Sequence, residues 1–266
     1  MKRGLGRLEA QALAYLQMRR QELVRTGGLA GPLRLRRLQE RELFRRLARG
    51  RWIARVRPGL YLVPQRLPLG GSWSPGEALA LRALFEDRKG RYQLTGPNAF
   101  QRYGFEDQVP ARLYVYNNRF SGRRAIGAVA LTLIKVADRR LGETETVRTA
   151  DGLTVVYSSR VRTLVDAVYD WSRFNSLPRA FGWIRADLAA RRVRPAELVR
   201  VALRYGDVGT LRRLGALLER EGVSAAQLRR LRSALRPTTG LIPWDPTRPK
   251  RGTLDRRWGV VWNERA

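Results

Sequence analysis

The chain has no cysteine and no histidine, and only Lys2, Lys89, Lys135 and Lys250 of its 53 basic residues are lysine. Without cysteine there are no disulfides, no thiolate nucleophile and no cysteine-ligated zinc. Without histidine no Ser-His-Asp triad can form, and the usual proton shuttle near neutral pH is missing. Carboxylate or lysine chemistry stays open. However, no Gly-x-Gly-x-x-Gly turn follows a strand, and Walker-type phosphate loops and kinase signatures are absent. No run of 18 apolar residues occurs, so no membrane span is expected. The opening stretch, Met1 to Leu13, is basic and lacks the apolar block of a signal peptide. These absences lead to the expectation of a cytoplasmic protein that is not an enzyme, with no catalytic residues, metal site or cofactor.

Acids are scarce as well. The 23 Asp and Glu leave a formal charge of +30, and 49 of the basic residues are arginine. An arginine-rich genome would favour Arg over Lys, but it would not thin out the acids. A surplus of this size attracts polyanions and speeds encounter with them. Nucleic acid is the first such partner, because phosphate contacts supply most of its non-specific affinity. Hydrophobic residues make up 44% of the chain and recur throughout, so this is a folded protein and not a disordered polycation. The length suggests one large or two ordinary domains.

The charge is uneven. Residues 1–63 carry 16 basic and 4 acidic side chains, residues 64–159 carry 14 and 9, and residues 160–266 carry 23 and 10. Density is highest in the first, shortest segment.

Gly6 to Val24 has helical spacing, with Leu8, Ala12, Tyr15, Leu16, Arg19 and Leu23 on one side, and Gly27 and Gly28 stop it. Arg36 to Arg49 predicts a second helix. Its Leu43, Phe44 and Leu47 share one face, Arg41, Arg45 and Arg49 fall roughly opposite, and Arg46 lies beside them. Gly50 ends this helix. Two β-rich runs, Trp52–Val56 and Leu60–Val63, flank Arg57-Pro58-Gly59 and read as a hairpin. A basic helix followed at once by a basic hairpin is the order of a winged helix-turn-helix, in which the helix enters the major groove and the wing touches flanking backbone. The candidate DNA contacts are Arg41, Arg45, Arg46 and Arg49 on the helix and Arg55 and Arg57 on the wing. Arg34, Arg36 and Arg37 would hold phosphates at the helix start. The middle helix of such a domain is poorly marked between Gly28 and Arg37.

Ser74, Pro75 and Glu77 read as N-cap, N1 and N3 of a helix running to about Asp87. Tyr92–Gly96 leads into a short helix at Pro97–Tyr103. Strands are expected at Arg112–Tyr116, Val129–Lys135, Glu145–Arg148 and Leu153–Tyr157. A helix follows at Val161–Trp171, then helical sequence to Leu235 and a strand at about 258–262. The fold class is α+β or α/β. Residues 1–66 form a winged helix-turn-helix, and residues 67–266 a mixed α/β domain, strand-rich over 90–158 and helical over 160–236.

Three other groups have alternative readings. Tyr92, Tyr103, Tyr114 and Tyr116 could stack bases, but alternate strand positions favour a core. Asp166 and Asp170 invite a carboxylate-pair mechanism, but their spacing suits pairs with Arg162 and Arg173. Arg212, Arg213, Arg220, Arg229 and Arg230, with Arg232, form a candidate second basic surface for phosphate, an acidic partner or tRNA.

The stretches "RGRWIARVRPGLYLVP", "YQLTGPNAFQRYGF", "RLYVYNNR", "VVYSSRVRTLVDAV", "LRRLGALLEREG" and "RWGVVWN" stand in an order and spacing that resemble the AbiEi antitoxin family of type IV toxin–antitoxin and abortive-infection phage-defence systems. The resemblance runs from about residue 8 to 263 and rests on order and spacing, since no single stretch is diagnostic. It implies a repressor that binds inverted repeats of double-stranded DNA upstream of its own operon. It further implies an α/β domain that counters a nucleotidyltransferase toxin, without necessarily binding it tightly. The alternative from the basic C-terminal third is an RNA-binding or toxin-binding module with incidental DNA affinity.

Overall fold

A computed structural model describes residues 5–67, 71–236 and 240–264. The start of the chain read above for a leader lies partly outside these residues. In chain order the elements are α1 (Arg7–Met18), β1 (Leu23–Arg25), α2 (Arg37–Arg49), β2 (Ala54–Arg57), β3 (Leu60–Leu62) and α3 (Glu77–Glu86). Then come β4 (Tyr92–Leu94), α4 (Pro97–Arg102), β5 (Leu113–Asn117), β6 (Gly122–Ile126), β7 (Val129–Lys135), β8 (Thr144–Arg148) and β9 (Thr154–Ser158). The rest is α5 (Arg160–Tyr169), α6 (Trp171–Phe174), α7 (Arg179–Ala189), α8 (Pro195–Tyr205), α9 (Val208–Arg220), α10 (Ala225–Ala234), β10 (Ile242–Pro243), β11 (Thr253–Asp255) and β12 (Val260–Trp262). The protein is a mixed α/β fold of the α+β kind. Among the described residues, no helix is long and apolar enough to cross a membrane.

The chain divides into two compact units that interleave in sequence. The first takes residues 1–92, 111–141 and 147–155, and the second takes 93–110, 142–146 and 156–266. Residues 1–66 lie wholly in the first unit, together with α3 and the strands β5, β6 and β7.

In the first unit, α1 buries Ala12, Leu13 and Leu16, and its Glu9 side chain accepts the Gly6 N–H at 2.7 Å. The helix stops at Met18, short of the expected Val24. Arg20 turns left-handed (φ 51°), and the Gln21 N–H closes onto the Leu16 carbonyl. Leu23–Arg25 is therefore a strand, antiparallel to β3 with Val24 opposite Tyr61. The sheet order is β1-β3-β2. No regular helix forms between Gly28 and Arg37. Residues 26–34 are turns, tied by bonds such as Leu33 N–H to the Leu29 carbonyl. Leu29, Leu43, Phe44, Leu47, Ile53 and Val63 join the α1 leucines in one core, and the Phe44 ring lies flat on Tyr61 at 4.7 Å.

The α3 helix starts two residues later than a Ser74 cap requires. Gly76 occupies the cap position, and Ser74 Oγ instead accepts the Ala128 N–H at 2.8 Å. β5 and β7 run parallel, while β6 and β7 form an antiparallel hairpin about Gly127 (φ +61°).

In the second unit β4 and β9 are parallel, with Leu94 opposite Tyr157. Helices α5, α7, α8, α9 and α10 pack together, with α5 against α7, α8 and α9. Residues 210–218 of α9 are buried on every side, the mark of a helix enclosed by others. A small sheet of order β10-β12-β11 packs on α9, where Trp258 fills the space that a Cβ at Gly215 would occupy.

Candidate nucleic-acid interface

Helix α2 and the β2–β3 hairpin build the basic surface. On α2, Leu43, Phe44 and Leu47 are fully buried, which fixes the rotation of the helix. The opposite side then faces outward, with Arg41, Arg45, Arg46 and Arg49 exposed. Leu38, one turn before Arg41 on the same stripe, is 77% exposed. At the helix start, the Gln39 side chain accepts the Arg36 N–H at 2.9 Å. Arg34, Arg36 and Arg37 are exposed there and have no acidic partner among the described residues.

One acid in this arginine-rich helix points inward. Glu40 is fully buried and accepts backbone N–H bonds from Gly27 and Leu29, both at 2.7 Å. A carboxylate taking two backbone donors is a charge-assisted anchor. It fastens the turns of residues 26–34 to α2, in the stretch where the sequence marks the middle helix poorly.

Between α2 and the hairpin lies a groove of about 550 Å³. Arg41, Arg45 and Arg49 line one side, and Arg55 with the Pro58-Gly59 turn lines the other. Among the described residues Arg41, Arg49 and Arg55 have no acidic partner, while Arg45 meets Glu42 on its own helix at 3.2 Å. Arg46 stands apart from this groove and pairs with Glu9 of α1 at 3.1 Å.

Arg57, expected as a wing contact, is committed elsewhere. Its Nε meets Asp87 Oδ2 at 2.6 Å and its Nη2 meets Oδ1 at 2.9 Å. Arg25 of β1 reaches the same carboxylate at 2.6 Å and Arg88 at 3.6 Å, and the Asp87 side chain is only 1% exposed. The register irregularity of the hairpin falls between Arg55, which lines the groove, and Arg57, which is held by Asp87. The Arg57 hydrogen bond, followed by that of Arg25, holds the Asp87 carboxyl below the usual carboxylate range.

The candidate second basic surface is not a single surface. Arg212 and Arg213 are 6% and 7% exposed. Arg212 Nη1 donates to the Gly240 carbonyl at 2.8 Å, and the Arg213 guanidinium donates to the Pro243 carbonyl at 3.0 and 3.2 Å. They tie α9 to the segment that follows α10, and burial lowers the Arg213 pKa. Arg220 lies over the Trp262 ring at 4.6 Å and pairs with Glu264. Of the expected set, Arg220 at the end of α9 and Arg229 and Arg230 on α10, beside Arg232, stand exposed.

Among the tyrosines, Tyr116 is buried and Tyr92 stacks on Phe85. Tyr103 donates to the Ser158 carbonyl at 2.8 Å. Asp166 forms a fully buried pair with Arg162 at 2.8 Å, and Asp170 pairs with Arg173 at 2.9 Å.

No protein-family model and no curated protein sequence matches this chain. Among solved structures it is similar to the crystal structure of RV2827C protein from Mycobacterium tuberculosis, with a TM-score of 0.59 at 15% identity. The match covers 97% of this chain and 92% of the other. The likeness is one of fold.

Proposed function

We propose that α2 and the β2–β3 hairpin act as the reading helix and wing of a winged helix-turn-helix that binds duplex DNA. The observation that carries this reading is the groove lined by Arg41, Arg45, Arg49 and Arg55, three of them without an acidic partner among the described residues. Free guanidiniums in a concave surface suit phosphates and the O6/N7 edge of guanine. The order helix, strand, turns, helix, hairpin and the sheet order β1-β3-β2 support it as well. With the sequence resemblance, the reading extends to a transcriptional autorepressor of the AbiEi antitoxin type. The remainder of the chain then counters a nucleotidyltransferase toxin encoded in the same operon.

The test is a titration of the full chain against its own upstream DNA and a scrambled duplex at about 150 mM salt. Preference for the upstream DNA is expected, and equal binding to both would sink the proposal. Arg45→Ala should weaken specific binding by roughly 1–3 kcal/mol if it meets a base. Arg55→Ala should weaken both duplexes alike and lower the salt slope by about one.

A further inference from the structure

The arginine-lined groove does not end at the hairpin. A second cavity of about 520 Å³ shares Ala48, Arg49 and Arg55 with it and continues past Arg51 and Trp73 to the turn between β6 and β7. Among the described residues its lining contains three arginines and no acid, and none of the three has an acidic partner. Arg51, exposed just past Gly50, belongs to this cavity and not to the first.

The walls are built, not loose. Arg51 is left-handed (φ 58°), and its carbonyl accepts the Trp73 N–H at 2.7 Å. On the far side, Ser74 Oγ accepts the Ala128 N–H at 2.8 Å. A Cβ at Gly127 would come within 2.6 Å of that oxygen, so only glycine lets the β6–β7 turn sit this close. Arg123, exposed on the adjoining strand β6, also has no acidic partner among the described residues.

Resting on the DNA-binding reading above, we infer that this second cavity holds the phosphodiester backbone flanking the segment read by α2. The duplex footprint then extends beyond the hairpin to the β6–β7 turn. A strand leaving the first groove past Arg49 and Arg55 meets Arg51 next. Each phosphate neutralised along this track releases counterions and steepens the salt dependence by about 0.9.

The experiment compares two duplexes of the upstream DNA by fluorescence anisotropy, using the full chain. One covers the core site and the other adds about one helical turn at each end. The longer duplex is expected to bind about tenfold more tightly, with a steeper salt slope. Arg51→Asn, which tolerates a left-handed backbone, should bring the long duplex down to the affinity of the short one and leave the short one unchanged. Ala125→Glu places an acid in the cavity from an exposed position on β6 and should do the same. Equal affinity for the two lengths, or equal weakening of both by the variants, overturns the inference while leaving DNA binding intact. A wild-type chain that binds neither duplex defeats the DNA reading itself, and the inference with it.

Discussion

Asp87 has an outsized role in a chain with so few acids. It follows the last turn of α3, where the helix dipole disfavours a carboxylate, yet it gathers Arg25, Arg57 and Arg88 around one side chain. Asp87→Asn should cost roughly 1.5–3 kcal/mol, the usual worth of hydrogen bonds to a charged group. Thermal unfolding measures this. The same change frees the Arg25 and Arg57 guanidiniums, so binding to scrambled DNA should strengthen and its salt slope steepen by up to about two. The pH dependence follows from the depressed carboxyl. The contribution of Asp87 to stability is complete above the ordinary carboxylate range near pH 4 and is lost as pH falls through its lower folded value. Wild type should therefore lose more stability than Asp87→Asn between about pH 5 and pH 2. Parallel unfolding curves over that window would contradict the assignment. None of this was legible in the sequence, because the spacing around Arg57 marks a wing cation and does not reveal an acid 30 residues away.

At the scale of elements, α2 presents Leu38, Arg41, Arg45 and Arg49 along one stripe. An exposed leucine among arginines suits the methyl group of thymine. Replacing thymine by uracil in the bound site removes only that methyl. Wild type should lose several-fold in affinity, and Leu38→Ala should bind both sites alike. No thymine–uracil difference in wild type would remove Leu38 from the reading surface. The helix itself was readable because its apolar positions repeat at 3.6 residues and Gly50 follows. The strand β1 was not, because Leu23 continues the helical spacing of Leu16 and only pairing with β3 decides the conformation. Likewise β6 was missed, since Gly122-Arg-Arg-Ala has little β-branched character and gains strand structure from β7. Arg212 and Arg213 read as surface cations because sequence does not show the backbone carbonyls waiting for them.

For the whole molecule, the division of the chain matters more than its net charge. A cut after residue 66 severs the first unit. It removes Asp87 from Arg25 and Arg57, Trp73 from the Arg51 carbonyl and Arg82 from Glu22. Amide hydrogen exchange should show β1, β2 and β3 less protected in a 1–66 fragment than in the full chain. Equal protection would mean that residues 1–66 need nothing from the rest of the unit. The interleaving also bears on synthesis. The first unit lacks its last segment until residue 155 has been made, and the β6–β7 turn beside Arg51 arrives only after residue 126. A nascent or prematurely terminated chain carries the arginines of α2 long before it carries the framework that holds them. On the DNA-binding reading proposed above, full-strength engagement of a duplex would wait for chains whose translation has gone well past α2 and the β2–β3 hairpin.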